Sequence, residues 1–78
     1  MGDTTNMAAA LRFHRKRAGL SQVELAKLAG VGKTAVFDLE KGKETVQLDT
    51  LSKILIALNI RMKLESPLME EFDREARS

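Results

Sequence analysis

Residues 21–40 carry a pattern that fits two short helices meeting at a sharp angle through a glycine turn. Ser21 is followed three residues later by Glu24, and this spacing is a capping box that begins a helix. Gly30 permits the left-handed backbone conformation that ends the helix. A second helix is predicted from about Lys33 to Lys41. The stretch therefore predicts a helix-turn-helix unit.

The spacing of small and apolar residues within the unit supports this prediction. Counting from Gln22, the fifth position must be small because the second helix crosses there, and the ninth must tolerate a left-handed turn. These positions hold Ala26 and Gly30. Four further positions must be apolar to fill the angle between the helices, and they hold Leu25, Val31, Val36 and Leu39. One match would be weak evidence, whereas the whole set is a strong signal.

Two more helices complete the predicted domain. Met7 to Ala18 is rich in helix formers and is predicted to form the first helix, after a disordered N-terminal segment of residues 1–6. Another helix begins near Leu48–Thr50 and ends at Asn59, with leucines repeated at helical spacing. The sequence thus predicts an all-α class, with one small domain of four to five helices over residues 7–59.

The pattern then changes to period two. Ile60, Met62 and Leu64 alternate with charged residues, which predicts a half-buried β-strand at 60–66. A lone strand leaves unpaired backbone groups, so we expect it to pair with the same strand of a second copy. The alternatives are that it joins a partner's sheet or packs as an extended tail on its own helices. Pairing of two copies would also place two helix-turn-helix units about one turn of DNA apart.

Charge is distributed unevenly along the 78 residues. Between Arg12 and Lys43, eight basic residues face three acids, a local charge of +5 that suits a polyanionic partner or an ordinary solvated surface. The C-terminal tail, residues 67–78, is acidic. It is predicted either to form one amphipathic turn at Leu68, Met69 and Phe72 or to stay disordered.

Composition argues against several functional classes. The chain has no cysteine and one histidine, His14, so a metal site or a catalytic triad lacks the residues it needs. No glycine-rich phosphate loop follows a strand. We therefore expect no enzyme activity, no metal and no cofactor. The apolar runs are too short to span a bilayer, which predicts a cytoplasmic protein without membrane contact.

The helical unit resembles the phage-repressor-like (Cro/C1, XRE) helix-turn-helix family. The shared residues form three blocks, Leu20–Gln22, Glu24–Ala26 and Gly30–Val31, followed by Leu39–Glu40 and Gly42–Lys43. This resemblance implies a lambda-repressor-like fold that binds double-stranded DNA. A four-helix domain with a strand directly after it further resembles the HipB-type antitoxins of bacterial toxin–antitoxin operons, in which the strand forms the dimer.

The resemblance implies roles for individual residues. In the second helix of the unit, Lys33, Thr34, Phe37 and Asp38 fall where family members contact base edges. Phosphate contacts fall on Ser21, Gln22, Lys41 and Lys43. Arg15 and Glu40 match a structural ion pair of the family.

Three of these positions have alternative interpretations, and Gln22 could act only as a good helix former at the first position of its helix. Phe37 could pack into the core instead of contacting a groove, since a slight rotation of its helix would turn the ring inward. Asp38 could form only a surface pair with Lys41.

The function that the resemblance implies is a homodimeric repressor of a palindromic operator, and an autorepressing antitoxin with a HipA-like toxin partner. The alternative is a stand-alone regulator, or a protein-interaction module without a toxin partner.

Overall fold

Five helices make up the computed structural model, which describes residues 3–77. They run in chain order as α1 (Asp3–Arg17), α2 (Gln22–Ala29), α3 (Lys33–Glu40), α4 (Leu48–Ala57) and α5 (Met69–Arg77). The helix α2 packs on both α3 and α4, and α1 packs on α3. The all-α class predicted from the sequence is confirmed.

The core lies between the first four helices, and each of them contributes one side chain that is almost completely inaccessible. Leu11, Leu25, Val36 and Ile54 expose at most 2% of their surface. Around them pack the remaining buried core residues, namely Ala26, Leu39, Leu51, Leu55 and Leu58. Burying a side chain of this size stabilises the fold by about 1.5–3 kcal/mol, so the four helices depend on one another.

Two expectations about the helices are wrong. The first helix begins at Asp3, four residues before the predicted start at Met7. Once the alanine-rich turns that follow have formed, adding a residue to a helix end costs little. Met1 and Gly2, the rest of the segment predicted to be disordered, lie outside the described residues. Leu28 follows Leu25 at helical spacing, which predicts that it shares the buried face of α2, but it is 62% exposed.

Residues 60–66, predicted to form a strand, have no regular secondary structure in the single chain. Ile60 packs against the core, and its N–H donates to the Leu55 carbonyl at 2.8 Å. Met62 and Leu64 are 54% and 71% exposed. A strand requires a neighbouring backbone to bond with, and within residues 3–77 none lies alongside this segment. The strand is therefore wrong for the isolated chain, and its pairing with a second copy stays a prediction.

The acidic C-terminal segment forms the helix α5, which is longer than the single turn predicted. Ser66 caps it, because its hydroxyl accepts from the Leu68 N–H at 3.2 Å and its carbonyl accepts from the Met69 N–H at 3.1 Å. Acidic residues in the first turn and arginines in the last suit the helix dipole. No residue of α5 is buried, and Phe72 is 61% exposed.

Candidate nucleic-acid interface

The start of α2 is fixed by the predicted capping box. The Glu24 N–H donates to Ser21 Oγ at 3.0 Å, and the Ser21 N–H donates to Glu24 Oε1 at 2.8 Å. These bonds to the backbone and the hydroxyl of Ser21 hold the pKa of Glu24 below its usual value. The Glu24 N–H is used by Ser21, but the other N–H groups of the first helical turn, those of Gln22 and Val23, have no partners within the helix. This helix start can therefore donate hydrogen bonds to an anion.

The turn after α2 sets the angle between the two helices. Gly30 has φ +76°, the left-handed conformation that a side chain disfavours, and its N–H donates to the Ala26 carbonyl at 2.9 Å. Ala26 is 3% exposed, which agrees with a close helix crossing at a small residue. Val31 packs against the core from inside the angle. The glycine turn predicted from the sequence is confirmed.

The helix α3 has one buried face and one accessible face. Val36 and Leu39 face the core, whereas Lys33 and Thr34 are exposed. Phe37 is half-buried and lies outside the core cluster. It lines a surface groove that also contains Gln22 and Lys41. The four residues predicted to contact bases thus lie on the accessible side of α3 or at its edge.

Asp38 pairs with Lys43 and not with Lys41. The Lys43 ammonium lies 3.4 Å from Asp38 Oδ2. Gly42 has φ +88°, and this left-handed turn folds the chain back so that the Lys43 N–H donates to the Asp38 carbonyl at 3.0 Å. The two side chains are brought together as a result. Because this ion pair is accessible to water, it contributes at most about 1 kcal/mol and can open to a ligand.

The predicted pair of Arg15 and Glu40 connects α1 to the end of α3. The Arg15 Nε donates to Glu40 Oε2 at 2.6 Å and Nη2 donates to Oε1 at 2.9 Å, while Nη1 donates to the Leu20 carbonyl at 2.9 Å. The side chains are only 10% and 5% exposed. The hydrogen bonds to Glu40 raise the pKa of Arg15, opposed by burial.

Gln22 is the third member of this cluster. Its Nε2 donates to Glu40 Oε1 at 3.0 Å, so the first residue of α2 is attached to the last residue of α3. Burial alone would raise the pKa of Glu40, but the hydrogen bonds from Arg15 and Gln22, together with the nearby arginine charges, hold it below its usual value. The cluster fixes the position of α3 relative to α1 and α2. It also leaves Gln22 at the surface groove described above.

Sequence reasoning missed Arg12 as a candidate contact residue. Arg12 lines the same groove as Gln22 and Phe37, one turn before Arg15. The signal in the sequence is the spacing of Arg12 and Lys16, four residues apart on one face of α1. Both residues also belong to the basic stretch between Arg12 and Lys43.

Among the described residues, no cluster of side chains suggests a metal site. Within residues 3–77 no group of three or more His, Cys, Asp or Glu side chains could hold a metal ion. The Nδ1–H of His14 donates to the Ala10 carbonyl at 2.6 Å, and the ring lies on the surface of α1. None of the helices in this range has the length and apolar character needed to cross a membrane.

Comparison with known proteins identifies the fold family. The model of a family described as helix-turn-helix matches residues 11–64. The ImmF control region 10 kDa protein of Bacillus phage phi105 is 33% identical, over 97% of this chain and 91% of that protein. The HTH-type transcriptional regulator y4mF of Sinorhizobium fredii is 37% identical, over 80% of this chain and 82% of that protein.

A further relative and two solved structures point to one subgroup. The antitoxin HipB of Escherichia coli is 33% identical, over 77% of this chain and 64% of that protein. A chain of the HipA–HipB–O2–O3 complex matches with a TM-score of 0.75 and 30% identity, over 86% of this chain and 94% of that chain. A chain of the HipB–O4 20mer complex matches with the same TM-score, identity and coverage.

Proposed function

We propose a function for this chain, which belongs to the Cro/C1-type (XRE) helix-turn-helix family. It is a transcriptional repressor that binds double-stranded DNA at a palindromic operator. It binds this operator as a homodimer. The observation that carries the proposal is the helix α3. Its inner face is fixed by the core and by the Arg15–Glu40–Gln22 cluster, while its outer face stays accessible. A helix held in this way presents its side chains to the major groove at a defined angle.

The accessible side of α3 supplies the base contacts in this proposal. Lys33 donates to guanine O6 and N7, and Asp38 accepts from cytosine N4. Thr34 and the half-buried Phe37 contact thymine methyl groups. Asp38 must leave Lys43 to do so, which the weakness of an exposed ion pair permits.

Phosphate contacts come from the ends of the helices. Ser21 and Gln22 lie at the start of α2, where backbone N–H groups and the helix dipole favour an anion. Lys41 and Lys43 follow α3, both with accessible side chains. These contacts set the position of the protein on the duplex but carry no sequence information.

The second copy comes from residues 60–66. In an extended conformation Ile60, Met62 and Leu64 would share one face of this segment, and in the single chain the last two leave more than half of their surface accessible. Antiparallel pairing with the same segment of another chain would cover this face and satisfy the backbone groups.

The substitution Met62→Pro tests this pairing, because proline removes a backbone donor from the ladder. We expect Met62→Pro to sediment as a monomer, while Met62→Leu, which keeps the donor and the apolar side chain, stays dimeric. A dimeric Met62→Pro protein whose helical circular dichroism is unchanged would show that the copies associate elsewhere.

The repressor is proposed to be the antitoxin of a toxin–antitoxin operon, with a HipA-like toxin as its partner. Support comes from the HipB relative and from the likeness to a chain of the HipA–HipB–O2–O3 complex. The regulator and antitoxin functions are compatible, since one chain can bind DNA through α3 and a protein through another face. As a DNA-binding regulator without a proposed enzyme activity, it would act in the cytoplasm.

A stand-alone regulator is the second candidate. The ImmF control region protein of a phage matches almost the full length of both chains, and its name mentions no toxin. The neighbouring reading frame separates the two candidates: a kinase-like gene beside this one supports the antitoxin, whereas its absence favours the stand-alone regulator.

Selection of bound DNA from a random pool tests the proposed DNA binding. We expect enrichment of a palindrome with half-site centres about 10–10.5 base pairs apart, or a multiple of that spacing. Binding to the enriched duplex should weaken steeply as the salt concentration rises. A pool that stays random after repeated selection at moderate salt would overturn the function.

A further inference from the structure

A second groove lies beside the proposed DNA-binding face, between α1 and the end of α3. Its charged and aromatic lining residues are Arg12, Phe13, Lys16, Glu40 and Lys41. The other lining residues are small, namely Ala8, Ala9 and Gly42. We call this the α1–α3 groove. Small lining residues let a ligand approach the backbone closely, and the cations around them favour an anion.

The charges in this groove do not cancel one another. The carboxylate of Glu40 already accepts hydrogen bonds on both oxygens, from Arg15 and from Gln22. Among the described residues, Arg12, Lys16 and Lys41 form no ion pair with a carboxylate at 4 Å or less. Three cations therefore line the groove against one acid, Glu40, whose charge is already balanced by the hydrogen-bonded Arg15.

The α1–α3 groove continues into the groove beside Gln22. Arg12, Glu40 and Lys41 line both of them. Gln22 at the start of α2 is a proposed phosphate contact, so a DNA strand held there has a continuous basic surface available along α1. Lys16, four residues after Arg12, extends this surface by one helical turn.

We propose that the α1–α3 groove binds one phosphate group through Arg12, Lys16 and Lys41. In this position the phosphate belongs to the DNA backbone that flanks the bases contacted by α3. Arg12 supplies planar, paired N–H donors and the two lysines supply point charges, which together suit a tetrahedral anion. The inference rests on the proposed function and deepens it, because it adds a backbone contact on α1 to those on α2 and α3.

The salt dependence of DNA binding tests the proposal. Each phosphate contact that is lost lowers the slope of log affinity against log salt by about 0.9. We expect Arg12→Gln to lower this slope by about one unit for each protomer bound, and to weaken binding to all duplexes by a similar factor. The matched control is Lys53→Gln, which removes an exposed cation on α4 that lies in neither groove. Equal slopes for Arg12→Gln and Lys53→Gln would contradict a DNA phosphate in the groove.

A variant whose charge is unchanged distinguishes a phosphate bound in the groove from long-range electrostatic attraction between the protein and DNA. Ala9 is exposed and lines the groove, so Ala9→Leu places a larger side chain there without altering any charge. We expect Ala9→Leu to lower the slope as Arg12→Gln does, with melting temperatures of both variants close to that of the unsubstituted protein. A wild-type slope for Ala9→Leu would show that the cations act only at a distance.

Titration with inorganic phosphate at constant ionic strength, followed by amide chemical shifts, distinguishes the source of the phosphate. Phosphate could shift the amide signals of Arg12 and Gly42 in the unsubstituted protein but not in Arg12→Gln, while Arg12→Gln leaves the salt dependence of DNA binding unchanged. This combination would assign the groove to a free phosphate-bearing molecule. No shifts and an unchanged slope would overturn the proposal. If the unsubstituted protein binds no DNA, the proposed function fails, whereas the phosphate titration still decides whether the groove is an anion site.

Discussion

The first four helices and residues 60–77 differ in where they place their apolar side chains. In α1 to α4 most large apolar residues meet in one core, although Phe13, Leu28, Leu48 and Ile56 are exposed, and the charged side chain of Arg15 is buried with its partner Glu40. In residues 61–77 no side chain is buried, and Met62, Leu64, Leu68 and Phe72 are each more than half exposed. The first region is therefore stable through its own contacts, and its function lies in its charged surface. The second region can gain stability only by contact with another molecule.

The largest effect is expected from breaking the cluster that connects α1, α2 and α3. Arg15→Met removes one partner of a nearly buried ion pair and leaves the Glu40 carboxylate without its main donors. We expect the free energy of unfolding to fall by about 3 kcal/mol in urea denaturation, since such a loss costs about 3–5 kcal/mol when burial is complete. Arg17→Met is the matched control, because Arg17 is exposed and contacts only the exposed Phe13 ring at 4.8 Å among the interactions of the described residues, and it should change stability by less than about 1 kcal/mol. Similar losses for both variants would mean that the cluster does not connect the helices.

The same cluster predicts how stability depends on pH. The pKa of Glu40 is lower in the folded chain than in the unfolded chain, where it is about 4.3. The unfolded chain therefore binds the proton first on acidification, and the stabilising contribution of Glu40 is complete above this value and lost as the pH falls through the lower folded pKa. Urea denaturation between pH 7 and pH 3 should show this loss. Glu40→Gln should be less stable at pH 7 and should vary less with acidification, whereas parallel curves for the two proteins would contradict the assignment.

The smallest effect is expected in the second region. Ending the chain after Ser66 removes α5, which contains no buried residue. We expect the free energy of unfolding to change by less than about 0.5 kcal/mol, as for other surface changes. Retention of toxin binding by the shortened chain would exclude α5 from that interaction. A large loss of thermal stability would instead mean that α5 packs on the domain in solution, and the two regions would not be independent.

The sequence was most informative where geometry permits few residue types. Gly30 adopts positive φ, Ala26 lies at the helix crossing and Ser21 pairs with Glu24, each at the position where a helix-turn-helix demands it. The ion pair of Arg15 and Glu40, 25 residues apart, came only from the family resemblance, because nothing in the local spacing of either residue reveals a distant partner.

Other features depend on contacts that a local sequence pattern does not reveal. Leu28 is apolar and three residues after Leu25, yet it is turned by about 60° of helix rotation from Leu25 and by about 160° from Ala26, which takes it out of the core. The alternation at residues 60–66 marks one apolar face, but strand formation depends on a neighbouring backbone. The start of α5 is set by Ser66, whose hydrogen bonds became visible only in the structure.

The central claim is that the accessible side of α3 selects the DNA sequence while the rest of the domain holds it in place. The direct measurement is the ratio of affinities for the selected operator and a random duplex, compared between Lys33→Ala on α3 and Lys27→Ala, an exposed lysine on α2. A good base contact contributes about 1–3 kcal/mol of discrimination, so Lys33→Ala should lower the ratio by roughly 5- to 150-fold for each half-site, and Lys27→Ala should leave it unchanged. An unchanged ratio for Lys33→Ala, or an equal fall for both variants, would contradict the claim.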